Sequence, residues 1–189
     1  MIGVLVSGEG TNLQALLDAG LPVVAVASDN TKARGLDRAA KAGIEAGAFP
    51  ATEFESRERR DEELAGWLGE RGAELVVLAG YMRLLSEPFL DRFPGRILNI
   101  HPSLLPSFPG AHAVEDALAH GVKVTGATVH FVDQGIDTGP IVLQEAVAVR
   151  EDDTPESLHA RIQAVEHRLL PQAVRLFLDG KLTSPAASA

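Results

Sequence analysis

Three stretches of the chain carry side chains suited to chemistry rather than to filling a core. In Ile97-Leu98-Asn99-Ile100-His101-Pro102 an apolar run is broken by an amide and an imidazole. A period of two places Asn99 and His101 on the same side of a strand, and Pro102 marks the strand's C-terminal end. Such groups are costly to bury without partners. Together they offer an oxyanion donor and a proton donor for acyl chemistry; the alternative is a capping Asn99 and a hydrogen-bonded core His101. The second stretch, Ser7-Gly8-Glu9-Gly10-Thr11-Asn12-Leu13, lies between a strand pattern and a helix pattern. Its glycines let backbone approach an anion, and Thr11 or Asn12 can cap the helix whose free N–H groups point at that anion. This loop fits a phosphate monoester, or a dinucleotide with Asp29 on a ribose, or a turn without ligand. For a dinucleotide, Leu13 stands where a third glycine is expected. The third stretch, Phe131-Val132-Asp133-Gln134-Gly135-Ile136-Asp137-Thr138-Gly139-Pro140, reads first as a turn by composition, the alternative being a carboxylate, Asp137, aimed at His101.

Weaker features read first as surface. Arg57 opens a strongly charged helical stretch, and Gln163 and Glu166 lie at i, i+3 beside an apolar helical face. The six histidines show no ligand spacing, so no metal is expected.

The elements that must position these groups follow from hydrophobic periodicity. Apolar runs at Ile2 to Val6, Val23 to Ala27, Leu75 to Ala79, Ile97 to Ile100, Ala127 to Val132 and Ile141 to Val149 alternate with helical segments. Helices are expected through Leu13, Leu16 and Leu17, from about Arg34 to Ala42, from Glu55 to Arg71, and from Thr154-Pro155-Glu156 onward, with Pro171 ending or kinking the last. The alternation predicts a single α/β domain, Rossmann-like and doubly wound, with a mostly parallel sheet and an antiparallel return at one edge. Residues 1–183 are expected to form that domain and 184–189 a frayed tail.

Composition narrows the partners. The 189 residues are 46% apolar and contain no cysteine, which excludes disulfides, thiolate metal sites and cysteine nucleophiles. A net charge of −9 has the wrong sign for tracking a phosphate backbone, so no nucleic acid is expected. No apolar run approaches a membrane span, and the start is unlike a signal peptide, so a cytoplasmic location is expected. Oligomeric state is not legible.

The run Asn99-Ile-His101-Pro-Ser-Leu-Leu-Pro106 closely resembles that of folate-dependent formyltransferases. With Ser7 to Leu13, Leu78-Ala-Gly-Tyr-Met-Arg83, Val129-His-Phe-Val132 and Asp137-Thr-Gly-Pro140, the resemblance spans nearly the whole chain. The N-terminal loop and short length resemble those members that formylate glycinamide ribonucleotide in purine synthesis. The resemblance implies 10-formyltetrahydrofolate as donor, no metal, and Asn99, His101 and Asp137 as the catalytic set, with Asp137 favouring protonated His101. It implies that Gly10, Thr11 and Asn12 hold the ribonucleotide phosphate and that Gln163 and Glu166 hold its glycinamide part. Arg57, Met82, Arg83, Leu84, Leu85, Asn99, Asp133, Gln134, Gly135, Ile136 and Asp137 are implied as folate contacts. Methionyl-tRNA formyltransferase resembles this pattern with an added nucleic-acid-binding domain, and formyltetrahydrofolate deformylase with an added N-terminal one. The short chain is expected to accommodate neither.

Overall fold

The computed structural model describes residues 1–182, so residue 183 and the expected tail at 184–189 lie outside the described residues. The strands are β1 (Ile2–Val6), β2 (Val23–Ser28), β3 (Glu45–Ala48), β4 (Leu75–Leu78), β5 (Ile97–His101), β6 (Val124–Phe131) and β7 (Ile141–Ala148). The helices are α1 (Thr11–Asp18), α2 (Arg34–Lys41), α3 (Arg57–Glu70), α4 (Glu87–Arg92), α5 (Ala113–Ala119) and α6 (Pro155–Leu178). One sheet runs β3-β2-β1-β4-β5-β6-β7. The pairs from β3 to β5 are parallel, and β6 runs antiparallel to both β5 and β7. The expected α/β architecture with an antiparallel edge is therefore present.

Helices cover both faces, which explains the unbroken apolar strands. Along β1, Ile2, Val4 and Val6 join Leu13, Leu16, Leu158 and Ile162 in one buried cluster. Leu5 points the other way and packs with Leu64, Leu68, Val76 and Phe89. Chain order reverses between β1 and β4, the switch point at which open α/β sheets leave a crevice beyond their strand ends.

Four local expectations need correction. Strand β3 escapes hydrophobic periodicity because Glu-Ala-Gly-Ala is an exposed edge held by parallel pairing to β2. Helices α4 and α5 are too short to show a helical period. Neither Thr11 nor Asn12 caps α1: Gly10 is the N-cap, in the left-handed region, and makes no side-chain bond. Finally, α6 continues through Pro171 to Leu178. Leu169, Leu170, Ala173 and Val174 are buried on either side of Pro171, and this packing outweighs the roughly 3 kcal/mol cost of an interior proline. The start of α6 is as expected, with Thr154 and Ser157 exchanging capping-box bonds.

Candidate active site

Strand β5 delivers Asn99 and His101 to the same carboxylate. Asn99 Nδ2 donates to Asp137 Oδ1 at 3.3 Å, and His101 Nδ1 lies 3.3 Å from Asp137 Oδ2. The carboxylate comes from the β6–β7 loop, where Asp137 adopts a positive φ of 54°. Its shortest contact is with backbone, the Gly110 N–H donating to Oδ2 at 2.8 Å. Burial pushes the Asp137 carboxyl up, but the His130 ring, the Gly110 N–H and the charge of His101 together hold it below its ordinary value. His101 is 4% exposed, and its Nε2–H donates to the Phe108 carbonyl at 2.8 Å. A carbonyl only accepts, so that nitrogen carries a proton, and Nδ1 is left facing Asp137.

His130 completes the cluster, and its place in the site was not anticipated from sequence. Its Nδ1–H donates to the Phe131 carbonyl, and its Nε2 lies 3.1 Å from Asn99 Nδ2 and 3.5 Å from Asp137 Oδ1. The signal for it is cross-strand register, since Asn99 is directly opposite His130 in the β5–β6 ladder. The two acidic residues of the loop divide in role. Asp133 Oδ1 accepts from the Gly135 N–H and the Thr138 hydroxyl, so Asp133 builds the turn, whereas Asp137 faces the imidazoles.

A cavity of about 340 Å³ opens beside this cluster. Arg57, Arg83, Leu84, Leu85, Asn99 and the whole segment from Asp133 to Asp137 line it, together with Tyr81 and His130. Met82 lies instead on an adjoining cavity shared with Arg57, Arg83 and Leu84. The residues grouped by resemblance as folate contacts thus converge on two neighbouring cavities.

The loop after β1 gathers the other set. Gln163 Nε2 donates to Thr11 Oγ1 at 2.9 Å, and Asn12 Nδ2 donates to Glu166 Oε2 at 2.9 Å. Glu166 is 5% exposed, which corrects the surface reading: α6 packs against α1 and carries both residues to the loop. Asn12 Oδ1 is buried without a hydrogen-bond partner. At Gly10, φ is +69°, and a Cβ would lie 2.6 Å from the Gly35 Cα, so only glycine fits between this loop and α2. Ser7 ties the two regions together, its Oγ accepting from the Met82 N–H at 2.9 Å.

Asp29, which a dinucleotide site would reserve for a ribose, instead accepts from Arg83 Nε at 2.8 Å. Among the described residues no group of three or more His, Cys, Asp or Glu side chains could hold a metal ion. No described helix is long and apolar enough to cross a membrane.

The pattern of the formyl transferase family matches residues 1–174. The chain belongs to the formyl transferase family. Within it, the chain is 44% identical over 187 residues to phosphoribosylglycinamide formyltransferase of Escherichia coli (strain K12), covering 96% of this chain and 88% of that protein. It is 48% identical to the Mycobacterium tuberculosis (strain CDC 1551 / Oshkosh) protein of the same name over 176 residues, or 90% and 81% of the two chains. The Drosophila melanogaster trifunctional purine biosynthetic protein adenosine-3 is 45% identical over 99% of this chain, which spans only 14% of that longer protein. The crystal structure of glycinamide ribonucleotide transformylase 1 from Symbiobacterium toebii superposes with a TM-score of 0.95 at 54% identity, covering 96% of this chain and 89% of that one. The formyltransferase resemblance seen in the sequence is therefore borne out, and so is the fold.

Proposed function

We propose that this chain transfers the formyl group of 10-formyltetrahydrofolate to the amine of glycinamide ribonucleotide, residues 1–183 forming the catalytic domain. The observation that carries this reading is the convergence of Asn99, His101 and Asp137 beside a cavity, in a chain whose relatives bear that activity in their names. The amine nitrogen attacks the formyl carbon, forming a C–N bond and a tetrahedral oxyanion. The bond from that carbon to folate N10 then breaks; the amine loses a proton and N10 gains one. No covalent enzyme intermediate is needed, because an uncharged amine is already a good nucleophile.

The contact lengths fit this role. Asp137 is anchored by the Gly110 N–H, whereas its contacts to Asn99 and His101 are both 3.3 Å. Asn99 and the Nδ1 edge of His101 are thus held only loosely to the carboxylate and can serve a developing oxyanion on that side, while the Nε2–H of His101 stays on the Phe108 carbonyl. Arg57, Met82 to Leu85, Asn99 and Asp133 to Asp137 form the folate side. Gly10, Thr11 and Asn12 take the phosphate on the N-terminus of α1, where backbone N–H groups supply the positive end that a net acidic protein needs. Gln163 and Glu166 take the glycinamide part. These contacts require no metal and no nucleic acid.

Incubation with 10-formyltetrahydrofolate, with and without glycinamide ribonucleotide, tests the reading. Tetrahydrofolate should appear only when the ribonucleotide is present, in step with formylated ribonucleotide. Donor consumption without the amine would make the chain a hydrolase, and no turnover in either tube would remove the assignment.

A further inference from the structure

The active-site histidine belongs to a polar row that crosses three strands. His101 on β5 pairs with Thr128 on β6, and Thr128 pairs with Gln144 on β7. Thr128 is fully buried, and its hydroxyl is a hub: it donates to the Ser103 carbonyl at 2.7 Å and accepts from the Leu105 N–H at 3.2 Å. The Gln144 side-chain amide joins the hub and the segment it holds, donating to Thr128 Oγ1 at 2.9 Å and to the Leu105 carbonyl at 2.8 Å.

What these bonds hold is the loop that follows β5. It lies flat on the antiparallel edge because β6 carries Gly126 there; a Cβ at that position would sit 2.8 Å from Leu104 Cδ2 and 2.1 Å from the Glu145 carbonyl oxygen. A few residues further on, the same loop presents the Phe108 carbonyl to His101 Nε2 and the Gly110 N–H to Asp137 Oδ2. Phe108 itself has a φ of +54°, a conformation that the loop's surroundings must maintain. The loop thus fixes the direction of the His101 Nε2–H bond and where the carboxylate points.

We infer that Gln144 is a positioning residue for formyl transfer: its amide locks the 102–110 loop, and through Phe108 and Gly110 it orients His101 and Asp137. Gln144 touches none of the three side chains grouped as catalytic, and it stands on the outermost strand, so the residue can be changed without opening the core. The inference rests on the formyl-transfer reading for its kinetic consequence, but its structural content is a fixed His101 Nε2–H.

The test uses Gln144→Leu, which removes the donors, and Gln144→Glu, which keeps the shape but sets a carboxylate against the Leu105 carbonyl. Steady-state kinetics and ¹⁵N–¹H spectra of the His101 ring are recorded for both and for wild type. Both variants should lower kcat about 10-fold to 100-fold, the scale of effect expected from sub-ångström misplacement of a catalytic group. The KM for each substrate should stay within about 2-fold, since no substrate-holding group is moved. The Nε2–H signal, sharp and protected in wild type, should broaden and exchange faster in the variants. A wild-type kcat in both variants overturns the inference. So does a loss of rate that merely follows the unfolded fraction while the folded protein keeps a wild-type Nε2–H signal. If wild type itself transfers no formyl group, the proposed function fails, and the ring spectra alone then decide whether Gln144 positions His101.

Discussion

The two halves of the crevice are built from different materials. Beyond β1, the loop proposed for the phosphate is made of backbone: Gly10 caps α1 in a conformation suited to glycine, and side chains from α1 and α6 brace it. Beyond β5, the cluster proposed as catalytic is made of side chains set in register across antiparallel strands, with Asn99 opposite His130 and His101 opposite Thr128. A phosphate needs N–H groups and space, which a parallel βα turn supplies by its geometry. A proton transfer needs named groups at fixed distances, which antiparallel pairing supplies by placing residues of distant sequence directly across from one another.

Substitutions that touch one half at a time can break this contrast. The largest effect is expected for Asp137→Asn, which keeps the shape but removes the charge shared by His101 and His130. The chemical step should fall by about 100-fold or more, on the scale of lost general acid–base assistance, with the affinity for the ribonucleotide little changed. The same variant has a pH signature in stability. Because the folded state holds the Asp137 carboxyl below its ordinary value, the charge stabilises the native state at pH values above the unfolded carboxylate range. That contribution is lost as pH falls through the lower, folded-state value. Denaturant melts of wild type and Asp137→Asn should therefore differ at neutral pH and converge in acid; a gap that stays constant with pH would deny the electrostatic role.

Gly10→Val should act on the other half. The new side chain meets Gly35 backbone before any ligand and must adopt a positive φ, so about 1–3 kcal/mol of stability is expected to be lost. The KM for the ribonucleotide should rise about 10-fold or more as the N–H groups are displaced, while the KM for the folate moves little. Equal losses for both substrates would make the loop a general scaffold. The smallest effect sharpens the comparison at its seam. Ser7→Ala deletes the bond that joins the phosphate loop to the Met82 N–H, worth about 0.5–1.5 kcal/mol. It should shift both KM values modestly and together, where the other substitutions separate them.

How much of this was legible in the sequence follows the same division. Residues close together in the chain announced themselves: the strand patterns of β1, β2, β4 and β5, the glycine loop, and the alternation that brings Asn99 and His101 to one face. Asp137 is singled out only through resemblance; composition by itself favours a turn, and the structure uses Asp133 for the turn and sets Asp137 beside the imidazoles. Features fixed by register or docking were not legible. His130 reads as one histidine among six until β6 is laid against β5. Gln144 is an ordinary polar residue on an exposed strand until a second ladder places it level with Thr128. Glu166 looks like surface because burial of its carboxylate depends on the Asn12 amide, far away in sequence. The ending that a local rule about proline allows at Pro171 does not occur, for a related reason: packing along the whole buried face carries α6 on to Leu178.

The measurement closest to the central claim is single-turnover formyl transfer by Asn99→Ala, with the dissociation constant of each substrate measured on the same preparation. Loss of an oxyanion donor should slow the chemical step by about 100-fold to 1,000-fold, while the ribonucleotide, proposed to sit at the far loop, binds as before and the folate, which Asn99 also faces, loses a much smaller factor. A wild-type single-turnover rate in correctly folded Asn99→Ala, or a defect located entirely in substrate binding, would contradict the account.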